Sequence, residues 1–584
     1  MAVEYLNTVQ DKPSLSLIGR RLFEFPAEEL DFFLPQLLYL YVTKIDAASV
    51  THAYIEKRHK NDAHFTILCI WFLSCYTETY PNKHENHAVM LRSLLTNQKS
   101  KTQQKAEENS ITLSLDQLET TNWMDSSSMK RKEHGILLSQ VDLERNREPI
   151  YVDRLLSSQQ TFINRLVHIG VKMAEVHLLS SKQEKTNALQ LELQMLNTML
   201  PNFVWIPFDF QNTIMNICVE ESAVLNSKEK VPYLFFAEVI RVPPTTEYID
   251  GNMGETVEIV SNSNERQNNR ILLKTRVYHD TTDPSVAVFA EAWSDKKDRI
   301  RSASKNGNIS EWDLIPVIVK TGDDLTQEAF AQQLLFTFKD LWNEEGIPLY
   351  LYPYKIICVG PDAGLIEPIL DTLSLHQIKR HLTNVFRANN NPITPTLKHH
   401  FENVFGVASS ETYVNAQKNF IQSAAAYSLV SYYLQLKDRH NGNILLDMEG
   451  HLIHIDYGFL LSSSPRNLGF ETAPFKLTSE IVDVIGGIDS DMFLYFKSLL
   501  LRGLMAARKH HRRIVSLVEI MAARSKMQCF RAGSETVRAL EARFHVSSTD
   551  EQLQQLVDTL VDGSRDSYTT RFYDSFQYYT NGIH

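Results

Sequence analysis

Two tracts rich in polar residues, separated by six residues, place narrow limits on the structure of this chain. The first tract covers residues 437–447 and the second covers residues 454–459. Residues 444–446 and residues 452–455 are short, mainly apolar runs with Glu449 and Gly450 between them, which predicts a β-hairpin. Because the strands of a hairpin run side by side, Asn443 and Asp456 are expected close together at its open end.

The spacing of the polar residues in these tracts is typical of phosphoryl transfer. Asp438 and Asn443 are five residues apart, the separation of the catalytic Asp and the metal-binding Asn in protein kinases. Asp456 lies two residues before Gly458, like the metal-binding Asp of those enzymes. Carboxylate and amide oxygens are ligands that Mg²⁺ prefers. We therefore predict Asn443 and Asp456 as magnesium ligands; the alternative is a polar turn with two chance carboxylates.

Two residues compete for the proton that the attacking hydroxyl must lose. Asp438 has the spacing of the protein-kinase base. His440 lies two residues further on, and its unperturbed pKa of about 6.5 suits general base catalysis. One of them is expected to accept the proton while the other orients or stabilises the reacting groups, and the sequence leaves both candidates open.

The order Asp-Arg-His in this loop, in place of His-Arg-Asp, separates lipid kinases and their relatives from ordinary protein kinases. Other tracts resemble the phosphoinositide 3- and 4-kinase family, and two of them are similar to its type III phosphatidylinositol 4-kinases. The tracts are residues 319–325, 352–355 and 366–369 for the family, and residues 456–476 and 576–583 for the type III enzymes. The resemblance covers residues 200–584 strongly and the N-terminal helices loosely.

The resemblance implies a role for the lysine at the end of a predicted strand. Lys320 would contact the α- and β-phosphates of ATP, and a lysine after an apolar strand suits a phosphate on physical grounds as well. It would complete the catalytic set with Asp438 and His440. Glu328, one helical turn after Asp324, would orient Lys320, although Asp324 competes for the same ammonium group.

The same resemblance implies an adenine pocket and a phosphate-covering turn. Tyr354 would line the inner pocket, with a plain core tyrosine as the alternative, and a hinge containing Glu367 and Ile369 would bind adenine through the backbone of Ile369. The turn that begins with Ser227 and Lys228 has no glycine, whereas a protein kinase has a glycine-rich loop there. The family uses a short Ser-Lys turn, so these two residues are the expected phosphate contacts.

The charge of the tract after Asp456 bears on the lipid substrate. From residue 457 to residue 478 its cations are Arg466 and Lys476, and its only acid is Glu471. Each phosphate on the inositol ring would add about −1.5 to −2 charges, so a bisphosphorylated headgroup would need a cluster of Lys and Arg. The tract therefore favours unphosphorylated phosphatidylinositol, with Arg466 and Lys476 facing the headgroup from the activation loop.

The sequence disfavours three alternative identities for this kinase-like chain. Phe459 follows Gly458, where the 3-kinases usually carry His, so a phosphoinositide 3-kinase is disfavoured. A large protein kinase of the same superfamily would belong to a longer chain, and a pseudokinase scaffold would lack catalytic residue types that are present here. Tyr457 replaces the usual Phe, and its hydroxyl needs a hydrogen-bond partner if the ring is buried.

Apolar periodicity and the resemblance together predict an α+β protein, a bilobal protein-kinase-like lipid kinase catalytic domain preceded by an all-α helical domain. Strands are expected near residues 223–226, 233–239, 271–278, 286–293, 314–320 and 354–359. The expected divisions are a partner-docking helical domain (1–80), a polar linker (81–150), a helical segment (151–200), a β-rich N-lobe with a polar insertion at 241–270 (201–367) and a helical C-lobe (368–584).

Composition limits the partners and the compartment. The net charge of −11 argues against a nucleic-acid binder, because the phosphate backbone selects basic proteins. The five cysteines lack metal-type spacing, which favours a reduced, intracellular protein. The most apolar run, residues 65–76, is too short to span a bilayer. We expect a cytoplasmic enzyme that visits a membrane.

Family membership would add cofactors, partners and a location. The cofactor would be MgATP, with Mn²⁺ as the alternative metal, and the substrate would be phosphatidylinositol in membranes. The N-terminal helices would dock Rab- or Arf-type small GTPases and Golgi adaptor proteins, which places the enzyme peripherally on Golgi membranes. Two basic clusters, at residues 296–301 and 508–513, are either solvated surface or attracted to anionic lipid, worth roughly 1 kcal/mol per cation.

Overall fold

The computed structural model of this protein describes residues 2–77, 91–92, 94–95, 148–176, 182–200, 204–225, 230–241, 291–464 and 472–583. The chain divides into two compact units. One contains residues 1–168, 201–205 and 358–363, and the other contains residues 169–200, 206–357 and 364–584. Most of the predicted linker (81–150) and insertion (241–270), and the predicted strand at 271–278, lie outside the described residues.

The N-terminal segment is helical, as predicted. Its helices are α1 (Ala2–Thr8), α2 (Lys12–Arg21), α3 (Ala27–Phe32), α4 (Leu34–Thr43), α5 (Ile45–Asn61) and α6 (Ala63–Thr77). Leu38, Ile55 and Ile67 are fully buried in this segment. Pro35 lies in the first turn of α4, where its missing N–H has no intrahelical partner to lose. Helices α7 (Glu148–Val176) and α8 (Lys182–Asn197) follow.

The larger sheet has six strands, in the order β1-β3-β4-β6-β5, with β2 paired to β3. The strands are β1 (Asn212–Ile217), β2 (Ala223–Val224), β3 (Tyr233–Arg241), β4 (Trp312–Thr321), β5 (Ile356–Gly360) and β6 (Ala363–Ile366). Strand β3 is antiparallel to β4, with Tyr233 opposite Val319. Residues 233–239 of β3 are all buried, which explains why this strand reads as a continuous apolar run.

Two helices accompany this sheet, α9 (Trp293–Ala303) and α10 (Thr326–Glu344). The predicted strand at 286–293 is wrong at its described end, because Trp293 begins α9. The Trp293 ring stacks on Phe236 of β3 at a centroid distance of 6.1 Å. Its apolar side chain therefore covers the sheet from a helix. Periodicity alone cannot distinguish a short apolar strand from a buried segment of a helix.

The C-terminal part of the chain is mainly helical, as expected for the larger lobe of a kinase. Its helices are α11 (Leu375–Ala388), α12 (Leu397–Phe405), α13 (Glu411–Leu434), α14 (Ser479–Ile485), α15 (Asp491–Lys509), α16 (His511–Ala522), α17 (Ser534–Ala542), α18 (Asp550–Ser564) and α19 (Tyr568–Asn581). The long helix α13 packs against α15, and Phe420, Tyr427 and Tyr433 of α13 are buried in this core.

A three-stranded sheet carries the two polar tracts. Its strands are β7 (Thr372–Ser374), β8 (Ile444–Asp447) and β9 (Leu452–His454), in the order β7-β8-β9. Strands β8 and β9 are antiparallel, with Ile444 opposite His454. Gly450 in their turn has φ +94°, and a Cβ there would lie 2.7 Å from the Ala416 carbonyl oxygen. The predicted hairpin is confirmed, and its turn requires glycine.

Candidate active site

Arg439 joins the two polar tracts into one structure. Its guanidinium donates to the carbonyl oxygens of Lys437 at 3.0 Å and Ile455 at 2.7 Å, and to that of Asp456. The side chain is buried and lies over the ring of Tyr457 at 5.6 Å. A buried cation that bonds three carbonyls fixes their relative positions, because leaving any of its donors unpaired would be costly. The sequence motif contained Arg439 but gave no sign of this role.

The candidate metal ligands lie together at the base of the β8–β9 hairpin. The backbone N–H of Ile455, next to Asp456, donates to the Asn443 carbonyl oxygen at 3.0 Å. The Asn443 side-chain nitrogen donates to the carbonyl oxygen of Asp438 at 3.0 Å, so its amide oxygen is the atom that remains for a cation. An amide oxygen beside a carboxylate fits Mg²⁺, which commonly takes few protein ligands and completes its shell with phosphate and water oxygens.

The backbone of Asp438, a candidate base, and of Asp456, a candidate metal ligand, is in an uncommon conformation. Asp438 has φ +62° and Asp456 has φ +61°, in the left-handed region that non-glycine residues rarely adopt. Asp456 Oδ1 also accepts from the Gly458 N–H at 3.1 Å. Residues held in such conformations by surrounding contacts cluster at functional sites.

The structure shifts the pKa values of the two candidate proton acceptors, Asp438 and His440, in opposite directions. The Gly442 N–H donates to His440 Nδ1 at 3.0 Å, so a neutral ring carries its proton on Nε2, which lies 3.9 Å from Asp438 Oδ1. Burial, reinforced by the charges of Arg439 and Lys476, lowers the pKa of His440 to about 4. Burial raises the pKa of the Asp438 carboxyl.

Lys320 lies at the end of β4 among three carboxylates. Its ammonium contacts Asp323 Oδ2 at 3.2 Å. Burial lowers the pKa of Lys320, but Glu328, Asp323 and Asp456 outweigh burial and raise it overall. Burial raises the pKa of the Glu328 carboxyl, and the charge of Asp456 adds to that effect. Lys320, Glu328 and Asp456 are therefore within electrostatic range of one another, as a phosphate site requires.

The aspartate that pairs with Lys320 is Asp323, and not Asp324, which was predicted to compete with Glu328 for this lysine. Asp324 Oδ1 accepts from the backbone N–H and the hydroxyl of Thr326 at 2.8 and 2.6 Å, which occupies it at the start of α10. Its neighbour Asp323 makes the ion pair with Lys320. The reason is the local turn, since Gly322 between Lys320 and Asp323 has φ +80°.

Lys230, the first described residue after the predicted Ser-Lys turn, lies in the same region. A Cβ at Gly322 would lie 3.1 Å from Lys230 Nζ, so this lysine is close to the end of β4. Ser227 and Lys228 themselves lie outside the described residues, as does Arg466.

The predicted adenine residues have well-defined partners. Tyr354 is buried, and its hydroxyl donates to Glu328 Oε1 at 3.0 Å. Glu367 pairs with Lys355 twice, because its N–H donates to the Lys355 carbonyl at 2.9 Å and its Oε2 accepts from the Lys355 N–H at 3.0 Å. The carbonyl oxygen of Ile369 accepts from the Thr372 hydroxyl at 3.1 Å. Hydrogen bonds therefore fix the backbone of the predicted hinge both before and after Pro368.

Lys476 contacts protein groups in the structure, whereas it was predicted to face the lipid headgroup. Its side chain is only 4% exposed, and its ammonium donates to Asn441 Oδ1 at 3.0 Å and Asp574 Oδ1 at 2.7 Å. Lys476 therefore ties the catalytic loop to α19. Tertiary packing from nearly a hundred residues away decides its orientation, which the charge count of its own tract could not reveal.

The two basic clusters are neutralised by acidic neighbours. In the first, Lys296 and Arg299 both pair with Glu221, at 3.1 and 2.8 Å. In the second, Arg508 pairs with Asp550 at 2.7 Å and Lys509 with Glu345 at 2.8 Å. Paired cations on a surface supply little net attraction to an anionic membrane, so this geometry weakens the lipid interpretation of both clusters.

The fold and this arrangement of Lys320, Asp438, Asn443 and Asp456 define a class of kinase. Residues 314–530 match the family model described as phosphatidylinositol 3- and 4-kinase, and residues 1–74 match one described as PI4KB/PIK1, accessory (PIK) domain. The chain belongs to the phosphatidylinositol 3- and 4-kinase family. It is 36% identical to phosphatidylinositol 4-kinase beta of Xenopus laevis over 682 residues and to that of Homo sapiens over 688 residues. Each alignment covers 100% of this chain and 82% of the relative.

Proposed function

We propose that this protein transfers the γ-phosphate of ATP to the 4-hydroxyl of phosphatidylinositol, making phosphatidylinositol 4-phosphate. The observation that carries the proposal is the placement of Asp438, Asn443 and Asp456 around Arg439, in a chain similar over its whole length to proteins named phosphatidylinositol 4-kinase beta. Asp438 accepts the proton of the inositol hydroxyl, while His440 acts as a neutral Nε2–H donor.

Nucleotide binding is assigned to Lys320 on β4, to Glu328 on α10 and to residues that precede or follow strands of the larger sheet. Lys320, oriented by Glu328, contacts the α- and β-phosphates, and Ser227 and Lys228 cover them. Tyr354 and the hinge at Glu367 and Ile369 hold the adenine ring.

Asn443 and Asp456 would hold Mg²⁺, with Mn²⁺ as the alternative, and a metal bound there would supply neutralisation of the phosphate charge. Arg466 is the remaining candidate headgroup contact.

The domain divisions predicted from the sequence belong to the same proposal. Residues 1–80 dock a protein partner, with Rab- or Arf-type small GTPases and Golgi adaptor proteins as the expected class, and residues 201–367 and 368–584 form the two kinase lobes. Recruitment through such partners places the enzyme on the Golgi membrane. Across the part of the chain that the structure describes, no helix combines the length and hydropathy needed to cross a bilayer.

The test uses vesicles containing phosphatidylinositol, MgATP and the purified chain, with chromatographic identification of the product isomer. We expect phosphatidylinositol 4-phosphate, and we expect Asp456→Ala to lose a factor on the order of 10²–10³ in rate, the scale for one electrostatic stabiliser. The exposed residue Asp489 provides a control, since Asp489→Ala should retain the rate. A 3-phosphate product, or a folded Asp456→Ala with normal activity, would overturn the proposal.

A further inference from the structure

A buried glutamine connects α10 to the turn that follows Asp456. Gln327 lies in the first turn of α10, and its side-chain nitrogen donates to the carbonyl oxygens of Tyr457 at 3.2 Å and Gly458 at 2.7 Å. Its side-chain oxygen accepts from the Cys529 N–H at 3.0 Å. Both hydrogens of the amide nitrogen are therefore used, and the side chain is buried. A buried amide satisfied in this way has one orientation only.

The turn that Gln327 contacts accepts hydrogen bonds from two separate elements of the fold. Arg439 binds the carbonyl oxygens of Ile455 and Asp456 from the catalytic loop. Gln327 binds the next two carbonyl oxygens along the chain from α10. Four consecutive carbonyl groups thus receive donors from two separate elements. This matters for Asp456, whose left-handed backbone (φ +61°) is an uncommon conformation that needs surrounding contacts to persist.

The same helical turn also carries Glu328, which follows Gln327 directly. Glu328 accepts from the Tyr354 hydroxyl at 3.0 Å and raises the pKa of Lys320 through its charge. One turn of α10 therefore fixes an acid beside Lys320 with one side chain and the backbone after Asp456 with the next. A shift of α10 would displace both parts of the phosphate site at once.

We propose that Gln327 is a positioning residue for phosphoryl transfer, which holds the carbonyl groups of Tyr457 and Gly458 so that Asp456 and Lys320 keep one mutual geometry. The inference rests on the proposed role of Asp456 as a metal ligand. Gln327 does not touch ATP or the lipid in this scheme, and it acts through the backbone that carries Asp456. Small displacements are costly in such sites, since a misplacement of about 1 Å can cost a factor of about 10² in rate.

The discriminating substitution is Gln327→Glu. A glutamate keeps the size and the acceptor for the Cys529 N–H, but it loses both donors and sets a carboxylate oxygen against two carbonyl oxygens. Gln327→Met provides a second variant without the added charge, in case the first does not fold. The matched control is Gln159→Glu, because Gln159 is also buried and bonds the backbone of Trp205 with both its nitrogen and its oxygen, at 2.9 and 3.0 Å.

Two measurements are compared below the melting temperature of each variant. The first is Mn²⁺ binding by electron paramagnetic resonance in the presence of a non-hydrolysable ATP analogue, where we expect Gln327→Glu to weaken metal affinity about tenfold. The second is the split of kcat and KM with MgATP, where kcat falls between about 10-fold and 10²-fold and the KM for phosphatidylinositol is unchanged. Gln159→Glu is expected to change neither quantity.

Wild-type metal affinity and kcat in both folded Gln327 variants would overturn the inference. Equal losses in the Gln159→Glu control would overturn it as well, because they would reduce the effect to general destabilisation. The metal measurement requires no lipid phosphorylation. If the wild-type chain bound metal and nucleotide but failed to phosphorylate phosphatidylinositol, the proposed function would fail while the role of Gln327 would still be decided.

Discussion

The hydroxyl of Tyr573, on helix α19, donates a hydrogen bond to Oδ1 of Asp438 in the catalytic loop. Gln577, one turn further along α19, donates to the Tyr573 oxygen at 2.7 Å and lies 3.5 Å from the same Asp438 oxygen. Lys476 adds a second link between the loop and α19, through Asn441 and Asp574. The C-terminal helix is thus part of the site that holds the candidate base.

Tyr573→Phe should lower kcat about tenfold and leave the KM for ATP unchanged. The substitution keeps the ring but removes one donor to a charged acceptor, a bond worth about 1.5–3 kcal/mol in proteins, and part of that loss falls on the orientation of Asp438. Initial rates with phosphatidylinositol vesicles measure the effect. Tyr579→Phe is the control, since Tyr579 lies on the same helix and is 84% exposed. Equal kcat values for the two variants would contradict the prediction.

Lys476→Met should destabilise the fold by about 2 kcal/mol and leave the KM for phosphatidylinositol nearly unchanged in the folded protein. Breaking a buried ion pair commonly costs about 3–5 kcal/mol, and the partial exposure of Asp574 reduces that figure through solvent screening. Urea unfolding measures the loss. In a double-mutant cycle with Asp574→Leu, the two changes should be less than additive. A raised KM without any loss of stability would restore the headgroup role for Lys476.

The stability of the protein should fall as the pH drops below about 6.5, in part through His454. Burial, with Arg439 and Lys476 adding, holds the pKa of this ring well below its usual range. Between the folded and unfolded pKa values only the unfolded chain binds the proton, so stability is present above the unfolded pKa and declines as the pH falls, by up to about 1.4 kcal/mol per pH unit.

His454→Phe should flatten this decline. Phenylalanine keeps the stacking on Tyr427, whose ring centroid is 4.6 Å away, and it does not titrate. Unfolding free energies of both proteins at pH 8 and pH 5.5 test the point. Curves that stay parallel over this range would exclude His454 as a source of the acid sensitivity.

Phosphatidylinositol should be phosphorylated faster than its 4,5-bisphosphate on vesicles of matched surface charge. With Lys476 committed to Asn441 and Asp574, the cation of the 457–478 tract that remains for the headgroup is Arg466. A bisphosphorylated headgroup carries about −3 to −4 additional charges, at about −1.5 to −2 for each phosphate. Product formation on the two kinds of vesicle is compared directly, and a faster bisphosphate reaction would favour a 3-kinase.

The parts of the site that local spacing governs could be predicted from the sequence. Asn443, Gly450 and Asp456 lie within one hairpin, and the turn residue and the apolar runs on each side suffice to place them. The buried hydroxyl of Tyr457 also found the partner it needs, since it donates to the His454 carbonyl at 2.9 Å.

Residues positioned by distant packing could not be predicted in this way. Lys476 carries the same charge whether it faces a lipid or Asp574, and Gln327 is one of many polar residues at the start of a helix. Trp293 belongs to an apolar run that is compatible with a strand, but its ring covers the sheet from α9. In each case the deciding neighbour lies far away in the chain, so no local pattern records it.

The contacts of the catalytic loop also have a consequence for the order of folding. Arg439 and Asp456 are 17 residues apart, whereas Tyr573 and Asp438 are separated by 135 residues. Short loops close at a lower entropic cost than long ones, so we expect the hairpin and its arginine to assemble early and the tyrosine contact to form last. During synthesis the chain would carry a formed candidate metal-binding turn before α19 has emerged. Full activity would then arise only when α19 docks, which separates the time at which this kinase folds from the time at which it becomes fully active.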